Sequence, residues 1–576
     1  MSAAGPPQDG LIAPTACPCA NNHDAANACT KAGTKACAHC FLVLYCSHEC
    51  QVAHWRQHKT TCKSQSMKAT WIPDPEPQEP VGPCMFGNPL DVLRQMKHLW
   101  GNIPAIDVLK LEQNEGPSYG KDIGLLFAAS GDLRNVIKSF EGIQASSPQS
   151  FTAVVNDREF HVVARNTILL LTAMYVDSAS AAAEAMLHIW YSALIPSSVL
   201  HHLRATVLPH IRAVCQKIAG KPAGNLFSKT FTNNACSLRM VLEKRFWDAL
   251  PGYLEPLDGL TADQAQRVRL KAMRTSGMVY QKDSKILCCQ LPGWRTARIE
   301  FRKDGVVAPF GASKAEFNVP NPTLFREQDE WSMPPIMGDP IDGWSLRDIL
   351  KKPLAKNDIY GGMFFYVQDL LKRFCTKIQA LKIDFVLLHN EANDLPKTLA
   401  NDPKSPQHFD RIETSNLIDP MNLGCLGLGC LKTFAPLLRP VAENPHATLV
   451  TFFQLSLVTV MFPGMMEGRA RRSERAAAYF PPGSSMLNDG CCADCVRRNE
   501  SFGLFEDFDK VFKHFKSQSR LDAFAKRAGL RSKRKHTIIE PWALRLPENA
   551  TQAEFDVVLA SPYNGEQRYV EWQKVT

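Results

Sequence analysis

The sequence predicts an α/β protein made of a small metal-braced module followed by a large domain. Three observations carry that class. Eight of the 19 cysteines crowd into the first 62 residues. A proline-rich stretch separates this cluster from the rest of the chain. Beyond it, short apolar runs that read as strands alternate with helical periods, the pattern of a parallel sheet.

At 576 residues and 64.2 kDa the chain is long enough for several domains. Its composition, 45% hydrophobic and 21% charged, is that of an ordinary soluble protein. The net charge of +9, from 66 basic against 57 acidic residues, is too thin over this length to imply a nucleic-acid partner. The opening MSAAGPPQDGLIAPTA lacks the basic start and apolar core of a signal peptide, and residues 1–16 are expected to be disordered. Apolar runs such as TLVTFFQLSLVTVMF (448–462) are too short for a membrane span. The expectation is an intracellular protein, in cytoplasm or nucleus, with no membrane contact. Thiols stay reduced in that setting, so an N-terminal cysteine cluster points to metal rather than disulfides.

The cluster begins with the last ligand-bearing stretch, YCSHECQVAHWRQHKTTC (45–62), where a cysteine or histidine falls at 46, 50, 54, 58 and 62. On a helix each step of four drifts roughly 40° around the axis. Cys46 and Cys50 therefore share a face, as do His58 and Cys62. The drift of roughly 120° between Cys50 and Cys62 keeps one ion from reaching both pairs. Upstream, ACAHC places Cys37 and Cys40 at a spacing whose tight turn aims both sulfurs at one ion. Further back stands Cys29, with Cys19 or Cys17. Four pairs suffice for two closed tetrahedral sites. An interleaved brace fits best: Cys19, Cys29, Cys46 and Cys50 on one ion, Cys37, Cys40, His58 and Cys62 on the other. His54, His39 and His48 read as surface or packing residues. CCADC (491–495) holds one Cys-x2-Cys, half of a zinc site, and the remaining cysteines read as small buried apolar residues.

Cys37–Cys40 followed by Tyr45–Cys62 closely resembles the MYND zinc finger, over about 45 residues. The resemblance implies two interleaved zinc ions and a protein-binding role, often toward proline-rich peptides. The chain departs from the family in its first pair, here Cys19-x9-Cys29, so that Cys17 and His23 stand as alternates for the first ligand. By analogy Gln51 and Trp55 border a peptide groove. A finger of 17–62 is too small for a stable apolar core, so metal would supply its folding energy.

Residues 63–83 carry five prolines between 73 and 83, mixed with acids, and read as an extended spacer that tethers the finger. The large domain is expected over 84–480. KDIGLLFAASGDLRNVIKSFEGI (121–143) reads as a strand over 123–129, a turn at Ser130-Gly131 and a helix. FTAVVND (151–157) is a second strand ending in an acid. Residues 178–250 are helical by period and begin a helical insertion near 178–370. Strands resume in IDFVLLH (383–389), in FDRIETSNLID (409–419) and in ATLVTFF (447–453), with the helical CLGLGCLKTFAPLL before the last. The tail, 481–576, is mixed and weakly patterned. GLLFAASGDLRNVIKSF, VVNDREFHVVARN and LHIWYSA resemble a fungal domain of unknown function that commonly follows a MYND finger. A related domain occurs in axonemal dynein assembly factor 3. The resemblance covers about residues 84–200 and implies no reaction.

Gly131 after the first strand and Asp157 ending the second stand where a Rossmann-like methyltransferase has its cofactor glycines and its ribose-binding acid. A single glycine in ASGDLRN serves a structural turn equally well, and Asp132 to Arg134 crowd the approach. No catalytic residue is assigned, and HExxH and Walker loops are absent. KRAGLRSKRKH (526–536) has six basic residues in 11 and reads as a solvated face or an import signal. The sequence thus points to a zinc-binding MYND finger for protein recognition, joined to a non-catalytic, Rossmann-like α/β scaffold with a helical insertion. A finger-targeted S-adenosylmethionine-dependent methyltransferase is the alternative.

Overall fold

The computed structural model describes residues 17–22, 28–76, 97–274, 277–331, 333, 338–353, 355–419, 427–457, 468–481, 492–563 and 565–575. The expectations for residues 1–16, for His23 and for Cys84, Cys425 and Cys491 lie outside these.

The described residues form thirteen strands, numbered in chain order. β1 (Lys35–Ala36) and β2 (Leu44–Tyr45) form a small antiparallel pair in the finger. Nine strands make the main sheet, in the order β12-β13-β11-β10-β3-β4-β9-β7-β6. β3 (Ile123–Phe127), β4 (Phe151–Asp157), β9 (Ile383–His389), β10 (Arg411–Glu413), β11 (Thr448–Phe453) and β7 (Cys236–Glu243) run parallel to one another. β6 (Leu226–Asn233), β12 (Leu530–Ser532) and β13 (Arg568–Lys574) are antiparallel additions at the two ends. β5 (Leu194–Pro196) and β8 (Phe317–Pro320) pair separately.

IGLLF of β3 is buried along its whole length, because a central parallel strand is covered on both faces. Alternation then sorts its side chains. Ile123, Leu125 and Phe127 enter one core with Ala153 and Val155, while Leu126 enters a second with Val154 and Ile412. Chain order moves outward from β3 to β4 and β9, then returns to β10 on the other side of β3. The strand order reverses between β3 and β10.

Three expectations change here. The stretch 178–250 is helical up to Lys217, through helices Ala179–Tyr191, Ser197–Thr206 and Leu208–Lys217, and again only in the short helix Lys244–Ala249. Residues 226–243 instead form the β6–β7 hairpin, turned at Asn234, whose φ of +51° suits a two-residue turn. In β7, Cys236, Leu238, Met240 and Leu242 are buried in alternation, a strand period inside a helical neighbourhood. The C-terminal region, read as weakly patterned, supplies β12 and β13 to the main sheet.

The third change concerns the finger, which packs on the large domain rather than hanging from a spacer. Cys19, Leu42 and Tyr45 belong to the same continuous core as Leu125 and Trp190. Asn357 donates from its backbone N to Phe41 O at 2.9 Å and from Nδ2 to Cys40 O at 2.8 Å. Asn22 Nδ2 donates to Gly311 O at 3.1 Å. Behind the finger, Ser66 meets Thr296, hydroxyl to hydroxyl, at 2.8 Å. Arg295 donates from Nε to Ser66 O at 2.9 Å and from Nη2 to Lys68 O at 2.6 Å. All of these contacts except the Ser66–Thr296 pair run through backbone carbonyls, which composition does not reveal. Among the described residues no helix is long and apolar enough to cross a membrane.

Candidate metal centre

The finger's geometry follows from two short devices. The β1–β2 pair brings Lys35 opposite Tyr45, and the loop between them turns through Cys37 and Cys40, where Phe41 N donates back to Cys37 O at 3.0 Å. Gly33 is required where it stands, since a Cβ there would lie 2.5 Å from Leu44 Cβ. After β2, Ser47 caps the helix His48–Cys62 by accepting from Cys50 N at 3.3 Å. The helix starts at once after Cys46, so Cys46 and Cys50 sit at its head and His58 and Cys62 one face further round.

Two groups of donors converge. The sulfurs of Cys19, Cys29, Cys46 and Cys50 lie within 4.8 Å of one another, and so do the donor atoms of Cys37, Cys40, His58 and Cys62. In the first group Cys29 and Cys46 are 3.6 Å apart and Cys46 and Cys50 3.5 Å. In the second, Cys37 and Cys62 are 3.9 Å apart and Cys40 Sγ lies 3.4 Å from His58 Nε2. A tetrahedron with arms of about 2.3 Å has edges of about 3.8 Å. The donors are soft thiolates and one imidazole, with no carboxylate in either group. Both clusters fit zinc ions.

Crowded thiols without a cation must share protons. Cys50 is held down to about 7, first by its hydrogen bond with Cys46, while the same bond pushes Cys46 up to about 12. In the deeper cluster Cys37 is lowered by Cys40 and Cys40 is raised by Cys37. Backbone amides prepare two sulfurs for charge: Leu42 N points at Cys40 Sγ and Cys46 N at Cys19 Sγ, each at 3.4 Å.

The other candidate ligands fall outside the clusters. Burial, and then the charge of Asp358, raise Cys17 to about 11. His54 is buried, with Nδ1 3.0 Å from Tyr45 Oη. His39 Nδ1 lies 3.4 Å from Cys62 Sγ, a support behind the ligand that its sequence position did not announce. His48 is exposed.

Gly131 and Asp157, the candidate cofactor-binding pair, are joined to each other. Asp157 accepts from Gly131 N at 2.9 Å through one oxygen and from Glu159 N at 2.9 Å through the other. Burial, set against those amides, raises it to about 6. Asp132 accepts from Gly101 N at 3.0 Å and pairs with Arg134 Nε at 2.7 Å. Arg134 Nη1 in turn donates to Gly343 O at 2.9 Å. A Cβ on Gly101 would lie 1.5 Å from Arg134 Nη2, so this segment lies directly on the turn after β3. Elsewhere a cavity of about 300 Å³ is lined by Ile106, Trp344, Val558 and Tyr563 beside the buried Arg298–Asp342 pair.

Comparison with known proteins agrees with the finger. A family model described as MYND finger matches residues 26–62, and one described as a domain of unknown function (DUF4470) matches residues 99–195. No curated protein and no solved structure matches the chain.

Proposed function

We propose that the chain acts in protein–protein recognition through its MYND-type finger. The finger holds two zinc ions, one on Cys19, Cys29, Cys46 and Cys50 and the other on Cys37, Cys40, His58 and Cys62. Zinc in such closed four-ligand sites supplies folding energy and no open position for chemistry.

One observation carries the recognition role. The finger's two sides differ: Ala20, Asn22 and Cys40 face the large domain, whereas Val52 and Trp55 on the helix are 59% and 36% exposed. Large apolar side chains held in water on a metal-braced helix suit a partner segment. A proline-rich peptide is the favoured partner, because it is already extended and loses little entropy against an aromatic surface. Fluorescence anisotropy with a panel of labelled proline-rich peptides tests this. Binding that Trp55→Ala abolishes, with zinc content unchanged, is the expected result. Binding indifferent to Trp55→Ala and Val52→Asp, or no binding by any peptide, contradicts it.

In this reading the large domain is a non-catalytic scaffold on a Rossmann-like sheet, in an intracellular protein. Its relation to the fungal domain and to that of axonemal dynein assembly factor 3 rests on GLLFAASGDLRNVIKSF, which forms β3, its turn and the helix Arg134–Glu141. The finger spans 17–62, and β12 and β13 extend the α/β unit beyond residue 480. A methyltransferase is the second reading, favoured by the reversal of strand order between β3 and β10 and by antiparallel β13 beside β11. Against it, Asp157 and Asp132 spend their oxygens on the chain's own amides and on Arg134. Calorimetry with S-adenosylmethionine separates the two: micromolar binding lost in Asp157→Ala supports the enzyme, and no binding supports the scaffold.

A further inference from the structure

The Cys-x2-Cys of CCADC lies at the seam between finger and domain. Cys492 immediately precedes the helix Ala493–Ser501 and Cys495 stands in its first turn, with 3.3 Å between their sulfurs. The two residues between them hold the tail that leaves the finger. Ala493 N donates to Trp71 O at 2.7 Å, and Asp494 N donates to Ala69 O at 3.2 Å. Both cysteines are buried, but not sealed, at 7% and 8% exposure. Among the described residues the groups of three or more converging metal donors are the two in the finger, and this pair is in neither. Cys288 is near, but burial pushes its thiol up to about 12, so it contributes a neutral wall.

We propose that Cys492 and Cys495 form a reversible disulfide within the first helical turn, and that its formation loosens the finger's tail from the large domain. The oxidant is a small-molecule disulfide of the glutathione class. The Cys492 thiolate attacks one sulfur of that disulfide, giving a mixed disulfide and one released thiolate. Cys495, deprotonated, then attacks the Cys492 sulfur and releases the second thiolate. Two protein thiols and one disulfide become one protein disulfide and two small thiols, and the protein's two protons end on those thiols. Cys495, inside the first helical turn and raised to about 11 first by its hydrogen bond with Cys492 and then by burial, is the resolving thiol. Bond formation must close 3.3 Å to about 2.05 Å. The ring so formed encloses the amides of Ala493 and Asp494 and re-aims them away from Trp71 O and Ala69 O.

The test uses the full-length, zinc-loaded protein carrying Cys491→Ser, so that the tryptic fragment 476–497 contains only this pair. The protein is equilibrated with oxidised glutathione, then alkylated and analysed by mass spectrometry, and amide exchange is followed over residues 64–74. The proposal expects a fragment lighter by two hydrogens and closed to alkylation, reopened by dithiothreitol. It also expects tail amides to exchange about tenfold faster in the oxidised form. Both changes must vanish on Cys492→Ser. Thiols that stay open to alkylation, a persistent glutathione adduct or a third zinc held by the pair would each overturn it. So would a disulfide that leaves tail exchange unchanged.

Discussion

Arg295→Ala is the sharpest perturbation of the finger's seat. The Arg295 guanidinium is buried and reaches two backbone carbonyls of the tail, Ser66 O and Lys68 O, while lying 4.9 Å from the Trp71 ring. Hydrogen bonds from a charged donor contribute about 1.5–3 kcal/mol each, and a cation over an aromatic face about 1 kcal/mol. Burial acts the other way and lowers Arg295 to about 10, so removing the charge also removes a desolvation cost. The net loss of tail docking is therefore placed at about 3 kcal/mol, which corresponds to roughly 100-fold faster amide exchange over residues 64–71. Zinc content should not change, because both clusters lie within residues 19–62. Arg295→Lys should fall between, since one ammonium cannot span both carbonyls. Exchange in Arg295→Ala equal to the parent's, in a protein that is otherwise folded by circular dichroism, would refute the docked arrangement.

Other consequences follow from the same geometry. Glu413 ends β10 fully buried, and burial raises it to about 7, above its unfolded value. Its contribution is thus present below the unfolded pKa and lost as pH rises through about 7. Glu413→Gln, which can still accept from Ser415 N, should gain on the parent by on the order of 2 kcal/mol between pH 5 and pH 8.5 in denaturant melts; a difference flat in pH contradicts this. Gly131→Ala should cost about 1 kcal/mol in urea unfolding from backbone strain alone, since Gly131 has φ +56° and its Cβ would meet nothing within 4 Å. A cost several times larger would show that the turn's bond to Asp157 is also lost. Chelation of zinc should lower the unfolding midpoint reported by the buried tryptophans Trp190 and Trp344, because the finger shares their core. Two independent transitions would contradict that.

The strands and the finger differ in how openly the sequence displays them. FTAVVND begins and ends where β4 does, because a buried parallel strand is one apolar run closed by a polar residue. IGLLFAA overshoots β3 by two alanines, which are apolar but already in the turn. The β6–β7 hairpin is hidden by composition, since FSKTFTN is mostly exposed and lies among strong helices. Its clue is the alternation of Cys236, Leu238, Met240 and Leu242. In the finger, the drift of a helix over 46, 50, 58 and 62 suffices to divide the donors into two groups, and it leaves His54 outside both. Docking is different. Asn357 and Arg295 bind main-chain oxygens, so those contacts leave no mark on the side chains of the segment they hold. Asp157 at the end of β4 is visible from sequence, but its bond to Gly131 N depends on how the β3 turn folds back.

Zinc stoichiometry by elemental analysis of the full chain tests the central claim most directly. The interleaved arrangement predicts two zinc ions per chain, about one after Cys40→Ser, and two after Cys17→Ser. A single ion in the parent protein, or both ions retained in Cys40→Ser, would contradict it.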